Sequence, residues 1–255
     1  AQLSRGLGDV YKRQLKNNAH QKDYLPSKGL LELRKSISNF LTHKGYKNLN
    51  HENIIIGPGS KELMFLLQIA FDGEIILPVP SWVSYAPQAI IAKNKYHWIQ
   101  TEKNTNWHIS PEHIDKIASQ IESKNKLIIL NSPNNPSGTN IHLLKELGEI
   151  FTKHNFTVLS DEIYSELYFK DNYKSISHFH KNTIVSSSLS KWAGAGGWRV
   201  GYFAVPHSLI EIFEKLAVLG TETFSAVSAP SQFAAITAYR DCLLYTSDAA
   251  DDRMR

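Results

Sequence analysis

A lysine set between serines and a glycine-rich loop is the feature of this sequence best suited to covalent chemistry. Lys191 lies in S-S-S-L-S-K-W-A-G-A-G-G-W-R-V-G-Y, residues Ser186–Tyr202, and Arg199 follows it. The run Thr183–Val185 reads as a short buried strand, so Lys191 emerges just past a strand end, where parallel-sheet proteins place ligand chemistry. Small residues on both sides leave room for a bulky ligand beside the amine. Ser188, Ser190 and Arg199 offer donors suited to an anion, most naturally a phosphate. A cation beside an amine favours its neutral form, a nucleophile able to form an imine. Taken alone, the stretch fits a charged surface loop with glycine turns equally well.

Three further stretches bear on that choice, and each follows a predicted strand. In S-D-E-I-Y (Ser160–Tyr164), Asp161 stands at the end of a buried strand, where a carboxylate is costly unless a cation meets it. Capping a neighbouring helix is the other use for it. In N-S-P-N-N-P-S-G-T (Asn131–Thr139), prolines and glycine fix the backbone around Asn135, which makes its amide useful for orienting a ligand oxygen. A plain turn explains that composition too. In G-P-G-S-K-E-L (Gly57–Leu63), a strand passes into a helix whose free amides suit a phosphate. The spacing of a Walker A loop is missing there. Trp82, as a lone tryptophan, reads as core, and Tyr24 as a loop tyrosine.

In this order and spacing, the four stretches resemble the fold-type I pyridoxal-phosphate enzymes, and within them the class I/II aminotransferases, over roughly residues 20–241. The resemblance implies pyridoxal 5'-phosphate held by Lys191, which also acts as general base, with Asp161 pairing with the protonated pyridine nitrogen. It puts Tyr164 and Asn135 on the ring oxygen, with Asn131 a weaker candidate, and Trp82 on the ring face. The amides of Gly59 and Ser60, together with Ser188 and Arg199, would hold the phosphate. Lys61 belongs to the same cofactor-binding loop but is expected to face solvent. Tyr24 would reach the phosphate of a neighbouring subunit, which implies a homodimer with shared sites. The implied reaction is a ping-pong transfer of an amino group between an amino acid and a 2-oxo acid. A carbon–sulfur lyase uses the same lysine and aspartate, and a transcription regulator can carry such a domain to sense the cofactor. Which amino acid is used is not legible.

Around these stretches the pattern alternates strands with helices, which predicts an α/β fold: a three-layer, mostly parallel sheet with helices on both faces. Helices are expected near residues 30–43, 60–71, 83–92, 110–122, 141–154 and 208–219. Strands are expected near 53–56, 74–77, 96–100, 126–130, 156–160, 183–187 and 200–205, with Pro78-Val79-Pro80 breaking the second. Ser110-Pro111 marks a helix start.

The 255 residues suffice for one large core, and 42% apolar with 11% aromatic residues fits a globular chain rather than a disordered one. A spread net charge of +4 gives nucleic-acid binding little support. No apolar run reaches membrane-spanning length and no secretory pattern opens the chain, so a cytoplasmic location is expected. The histidines show no metal spacing, and no G-x-S-x-G elbow is present. Val10–Gln14 can be encoded by a DNA stretch whose reverse complement, in a shifted frame, encodes Cys242–Thr246. Such inverted repeats are what transposon-adapter ends give on translation. Residues 1–14 and 242–255 are therefore expected to be non-native tails around one domain, 15–241, cut at both ends. Cys242, the only cysteine, then lies in a tail. The family resembled continues into a smaller C-terminal domain carrying the arginine for the substrate carboxylate, so this piece is expected to be poorly active.

Overall fold

The computed structural model describes residues 13–167 and 173–251, with side chains to Arg240. The readings for residues 1–12 and 252–255, and for the Cys242 side chain, lie outside the described residues. The β-branched and leucine-rich runs form seven strands of one sheet: β1 (Ile54–Gly57), β2 (Glu74–Val79), β3 (Tyr96–Gln100), β4 (Lys126–Asn131), β5 (Phe156–Asp161), β6 (Thr183–Ser188) and β7 (Gly201–Ala204). Their spatial order is β1-β7-β6-β5-β4-β2-β3. The pairs from β6 through β5, β4 and β2 to β3 are parallel, and only β7 runs against its neighbours β1 and β6.

The helices are α1 (Leu31–His43), α2 (Ser60–Ala70), α3 (Tyr85–Ile91), α4 (Pro111–Gln120), α5 (Leu144–Lys153), α6 (Ile210–Thr223) and α7 (Ala229–Asp251). The period of two along each strand sorts the core into layers. Ile55, Leu127, Ile129, Leu159, Ile184 and Phe203 pack on one face with residues of α2, α3 and α6. Their neighbours in sequence face the other side. There Ile54, Ile56, Val185 and Tyr202 meet α1 and α7, while Ile128, Leu130, Phe156 and Val158 meet α4 and α5. This is the three-layer arrangement predicted from the alternation of elements.

Four local readings need correction. Strand β2 continues through Pro78 to Val79. Pro78 stands opposite Ile99 of β3, but pairing with β4 has already ended at Ile76, so on that flank a missing N–H breaks no ladder. Helix α3 starts at Tyr85 rather than Val83. Helix α5 starts at Leu144 rather than Ile141: Leu143 has φ 54°, outside helical geometry, and the Ile141 amide donates to Ser132 Oγ at 3.0 Å. Helix α7 was not read from the sequence at all. Where prediction relied on capping chemistry it held, since Ser110 Oγ accepts from the His113 amide with Pro111 in the first turn. Among the described residues no helix is long and apolar enough to cross a membrane.

Candidate active site

Strand register brings the chemically useful residues into one row. Asn131, the last residue of β4, stands opposite Asp161, the last of β5, and Asp161 stands opposite Ser186 of β6. Ser188 and Gly57, at the ends of β6 and β1, both flank Gly201 of β7. With adjacent strands about 5 Å apart, these carboxyl ends border a single cavity of about 260 Å³. Ser60, Lys61, Trp82, Asn131, Asn135, Asp161, Ile163, Tyr164, Ser188, Ser190, Lys191 and Arg199 line it.

Asp161 is 3% exposed. Its Oδ2 accepts from Tyr85 Oη at 2.6 Å, whereas Oδ1 is buried with no hydrogen-bond partner among the described residues. Burial pushes the carboxyl up to about 6, against the opposing effect of the Tyr85 hydroxyl and the Ile163 backbone. An unmatched carboxylate oxygen in a cavity wall is a site for a cationic N–H donor. Lys191 is exposed at the mouth, its Nζ 5.6 Å from the centre of the Tyr164 ring. Asn135 Nδ2 donates to Tyr164 Oη at 3.3 Å, so these two polar groups act as a pair.

Asn131 has both ends of its amide engaged by backbone. Its Oδ1 accepts from the Asn135 amide at 2.7 Å and its Nδ2 donates to the Asp161 carbonyl at 2.9 Å. It therefore braces the proline loop against β5, which fixes where Asn135 points.

The start of α2, with Ser188 and Arg199, makes up a cradle suited to an anion. The first amides of α2 have no partner within the helix, and the Arg199 guanidinium lies against Gly59, where a Cβ would be 2.1 Å from Nη2. Gly59 has φ +87°, a conformation open to glycine at little cost. A Cβ on Gly201 would sit 2.2 Å from the Ser60 amide nitrogen, so glycine is what lets β7 approach the helix start. Arg199 Nη1 donates to the Gly196 carbonyl at 2.8 Å, which holds the guanidinium in place. Ser188 Oγ accepts from the Ser190 amide at 3.1 Å, and no acceptor among the described residues takes its own hydrogen.

The Gly59 amide, expected with that of Ser60 to meet a phosphate, donates to the Gly57 carbonyl at 2.7 Å in a three-residue turn. Gly59 also supplies space for Arg199. Lys61 is exposed as expected, yet it also lines the cavity, its Nζ 5.4 Å from the centre of the Trp82 ring, which attracts an ammonium. Trp82 packs edge-on against Tyr85 at 5.5 Å rather than deep in the core. Tyr24 lies apart from the cavity lining, 92% exposed. Tyr85 itself was missed. The spacing Trp82-x-x-Tyr85 at a helix start was the only signal, and nothing local points its hydroxyl at Asp161.

The family model for "Aminotransferase class I and II" matches residues 8–255. A curated relative, aspartate aminotransferase of Bacillus subtilis, is 33% identical over 233 residues, covering 88% of this chain and 58% of its own length. The solved aspartate aminotransferase of Thermotoga maritima superposes with TM-score 0.83 at 26% identity, over 91% of this chain and 63% of the other. The aromatic aminotransferase of Pyrococcus horikoshii gives TM-score 0.83 at 26% identity, over 95% and 66%. The chain thus spans somewhat over half the length of the curated relatives it matches.

Proposed function

Because the chain belongs to the aminotransferase class I and II family, we propose that it forms the cofactor-binding part of a pyridoxal-phosphate-dependent aminotransferase. The protein would move an amino group between an amino acid and a 2-oxo acid. One observation carries this reading most: Asp161, whose buried Oδ1 has no partner among the described residues, lines a cavity with a lysine amine and an anion cradle. When bound, pyridoxal phosphate supplies an electron sink, a pyridine ring that keeps its nitrogen protonated.

Each residue has a task the cavity chemistry suits. Asp161 Oδ1 keeps the proton on the ring nitrogen. Tyr164 and Asn135 offer hydrogen bonds to the ring oxygen, and Trp82 offers a flat face. The first amides of α2, Ser188 and Arg199 neutralise the phosphate. Lys191 Nζ would hold the cofactor through its aldehyde and, once displaced by the substrate amine, would be the free base that takes and returns the proton at the substrate α-carbon.

Lys61 supports one substrate class. Its ammonium stands at the cavity with no carboxylate partner among the described ion pairs. A second cation beside the phosphate cradle favours amino acids whose side chain ends in a carboxylate. Tyr24 is free to extend into a neighbouring copy, which supports a homodimer as the working unit. Adding pyridoxal phosphate to the purified chain tests the core of this reading. A visible absorbance band should appear and be abolished in Lys191→Ala, with Asp161→Ala lowering affinity at least tenfold. A band of equal strength in Lys191→Ala would sink the assignment.

A further inference from the structure

One buried acid takes no part in the reading above. Glu162 follows Asp161 directly and is 1% exposed. Ser160 Oγ donates to its Oε1 at 2.8 Å and Ser175 Oγ at 2.5 Å, while Tyr46 Oη donates to Oε2 in a short hydrogen bond. Tyr173 is a further hydrogen-bond donor to it. All four partners are hydroxyls. Burial pushes the carboxyl up to about 7 even against these hydrogen bonds. Tyr202 stands within the field of both Glu162 and Glu166, and Glu166 is itself paired with Lys44.

The partners come from separate parts of the chain. Ser160 lies in β5. Tyr46 follows α1, 116 residues away in sequence, and Ser175 is 13 residues past Glu162. Glu162 therefore ties Ser175 to the start of the turn that carries Ile163 and Tyr164 into the cavity wall. The turn itself is tight: the Ser165 amide donates to the Glu162 carbonyl at 3.0 Å and the Leu167 amide to the Tyr164 carbonyl at 2.9 Å. A buried carboxylate without a cation costs several kcal/mol before compensation. An apolar side chain of similar size would avoid that cost but could not tie three segments together.

We infer that Glu162 is a positioning residue for the cofactor site, a buried clasp at the base of the turn over residues 162–167 that fixes Tyr164 relative to Asp161 and Asn135. It touches neither cofactor nor substrate, and it acts through Tyr164. The inference rests on the proposed cofactor reading for its consequence, though the clasp itself does not.

The test therefore has two arms. In the cofactor-free chain, amide hydrogen exchange at Ser165 and Leu167 should rise about tenfold in Glu162→Gln and further in Glu162→Ala, with β4 and β5 amides unchanged. In the chain loaded with pyridoxal phosphate, the pH at which the visible band changes should shift in both variants, more in Ala, because Tyr164 faces the ring oxygen. Should Glu162→Ala fail to fold, Tyr46→Phe and Ser175→Ala each remove one donor and should show smaller shifts of the same sign. Folded variants with wild-type exchange at Ser165 and Leu167 would overturn the clasp. Raised exchange with an unmoved spectral pH would overturn the positioning role. If wild type shows no Lys191-dependent band, the cofactor reading fails, and exchange alone decides whether the clasp exists.

Discussion

Asp161 shows how one side chain can be left unfinished by the fold. Tyr85 satisfies Oδ2, while Oδ1 of this cavity-lining residue is buried with no partner among the described residues. Its carboxyl, raised to about 6 by burial, is ionised above that pH and neutral below it. Affinity for a protonated pyridine should therefore rise as pH increases through 6, and the rise should be shallower in Asp161→Asn, where only the cofactor phosphate still ionises in that range. Titrations of pyridoxal phosphate at several pH values check this; a slope unchanged in Asp161→Asn would contradict it. Tyr85→Phe removes a hydrogen bond that lowers the carboxyl, so the midpoint should move to higher pH, with affinity near neutrality falling up to about tenfold. Lys61 is the other residue with a defined expectation. In the cofactor-loaded chain, Lys61→Ala should weaken a dicarboxylate such as succinate about tenfold, a loss near 1.4 kcal/mol, and leave a monocarboxylate unaffected. Equal losses for both would remove Lys61 from substrate choice.

Among the elements, the junction of β1, α2 and β7 is the tightest part of the site. The Gly201 backbone approaches the start of α2 so closely that any side chain there meets main chain, not a movable tip. Gly201→Ala should cost about 1–3 kcal/mol of stability in chemical denaturation and widen the anion cradle, so inorganic phosphate should bind more weakly too. Wild-type stability together with wild-type phosphate affinity would show that α2 can shift freely. The proline loop after β4 shows the same dependence of site on frame. Asn131 spends both ends of its amide on backbone, and Asn135 reaches Tyr164 only because that loop is braced. Sequence patterns found these elements well where apolar periodicity and capping agreed, as in α4 and the five parallel strands. They failed at the starts of α3 and α5 and at Pro78. At α5 a tertiary hydrogen bond and a left-handed residue, and at Pro78 the end of a ladder, decided the boundary, and none of these is written in local composition.

For the molecule as a whole, two neighbouring buried acids set a pH dependence of stability. The Asp161 and Glu162 carboxyls lie at about 6 and 7, both raised by burial above their values in an unfolded chain. The folded state thus holds these protons more tightly. Their contribution is full below about pH 4 and is lost as pH rises through 6 and 7. The cofactor-free chain should therefore show a falling Tm between about pH 5 and 7.5. Glu162→Gln should flatten much of that fall, and bound cofactor should offset the share due to Asp161. A Tm that climbs through this range in wild type would mean that neither acid is buried as described.

The order of chemistry along the chain was written in the residues themselves. Lys191 after a strand, Asp161 after another, the proline-bracketed Asn135 and the glycine junction before α2 are local patterns, and strand alternation with helices specified the layers. What tertiary structure decided was who meets whom. Tyr85 and Asp161 are 76 residues apart, and Glu162 and Tyr46 are 116 apart. Such contacts depend on strand order and register, which no short window of sequence contains, and they determine which carboxylate oxygen is left open for a ligand and which acid becomes a clasp.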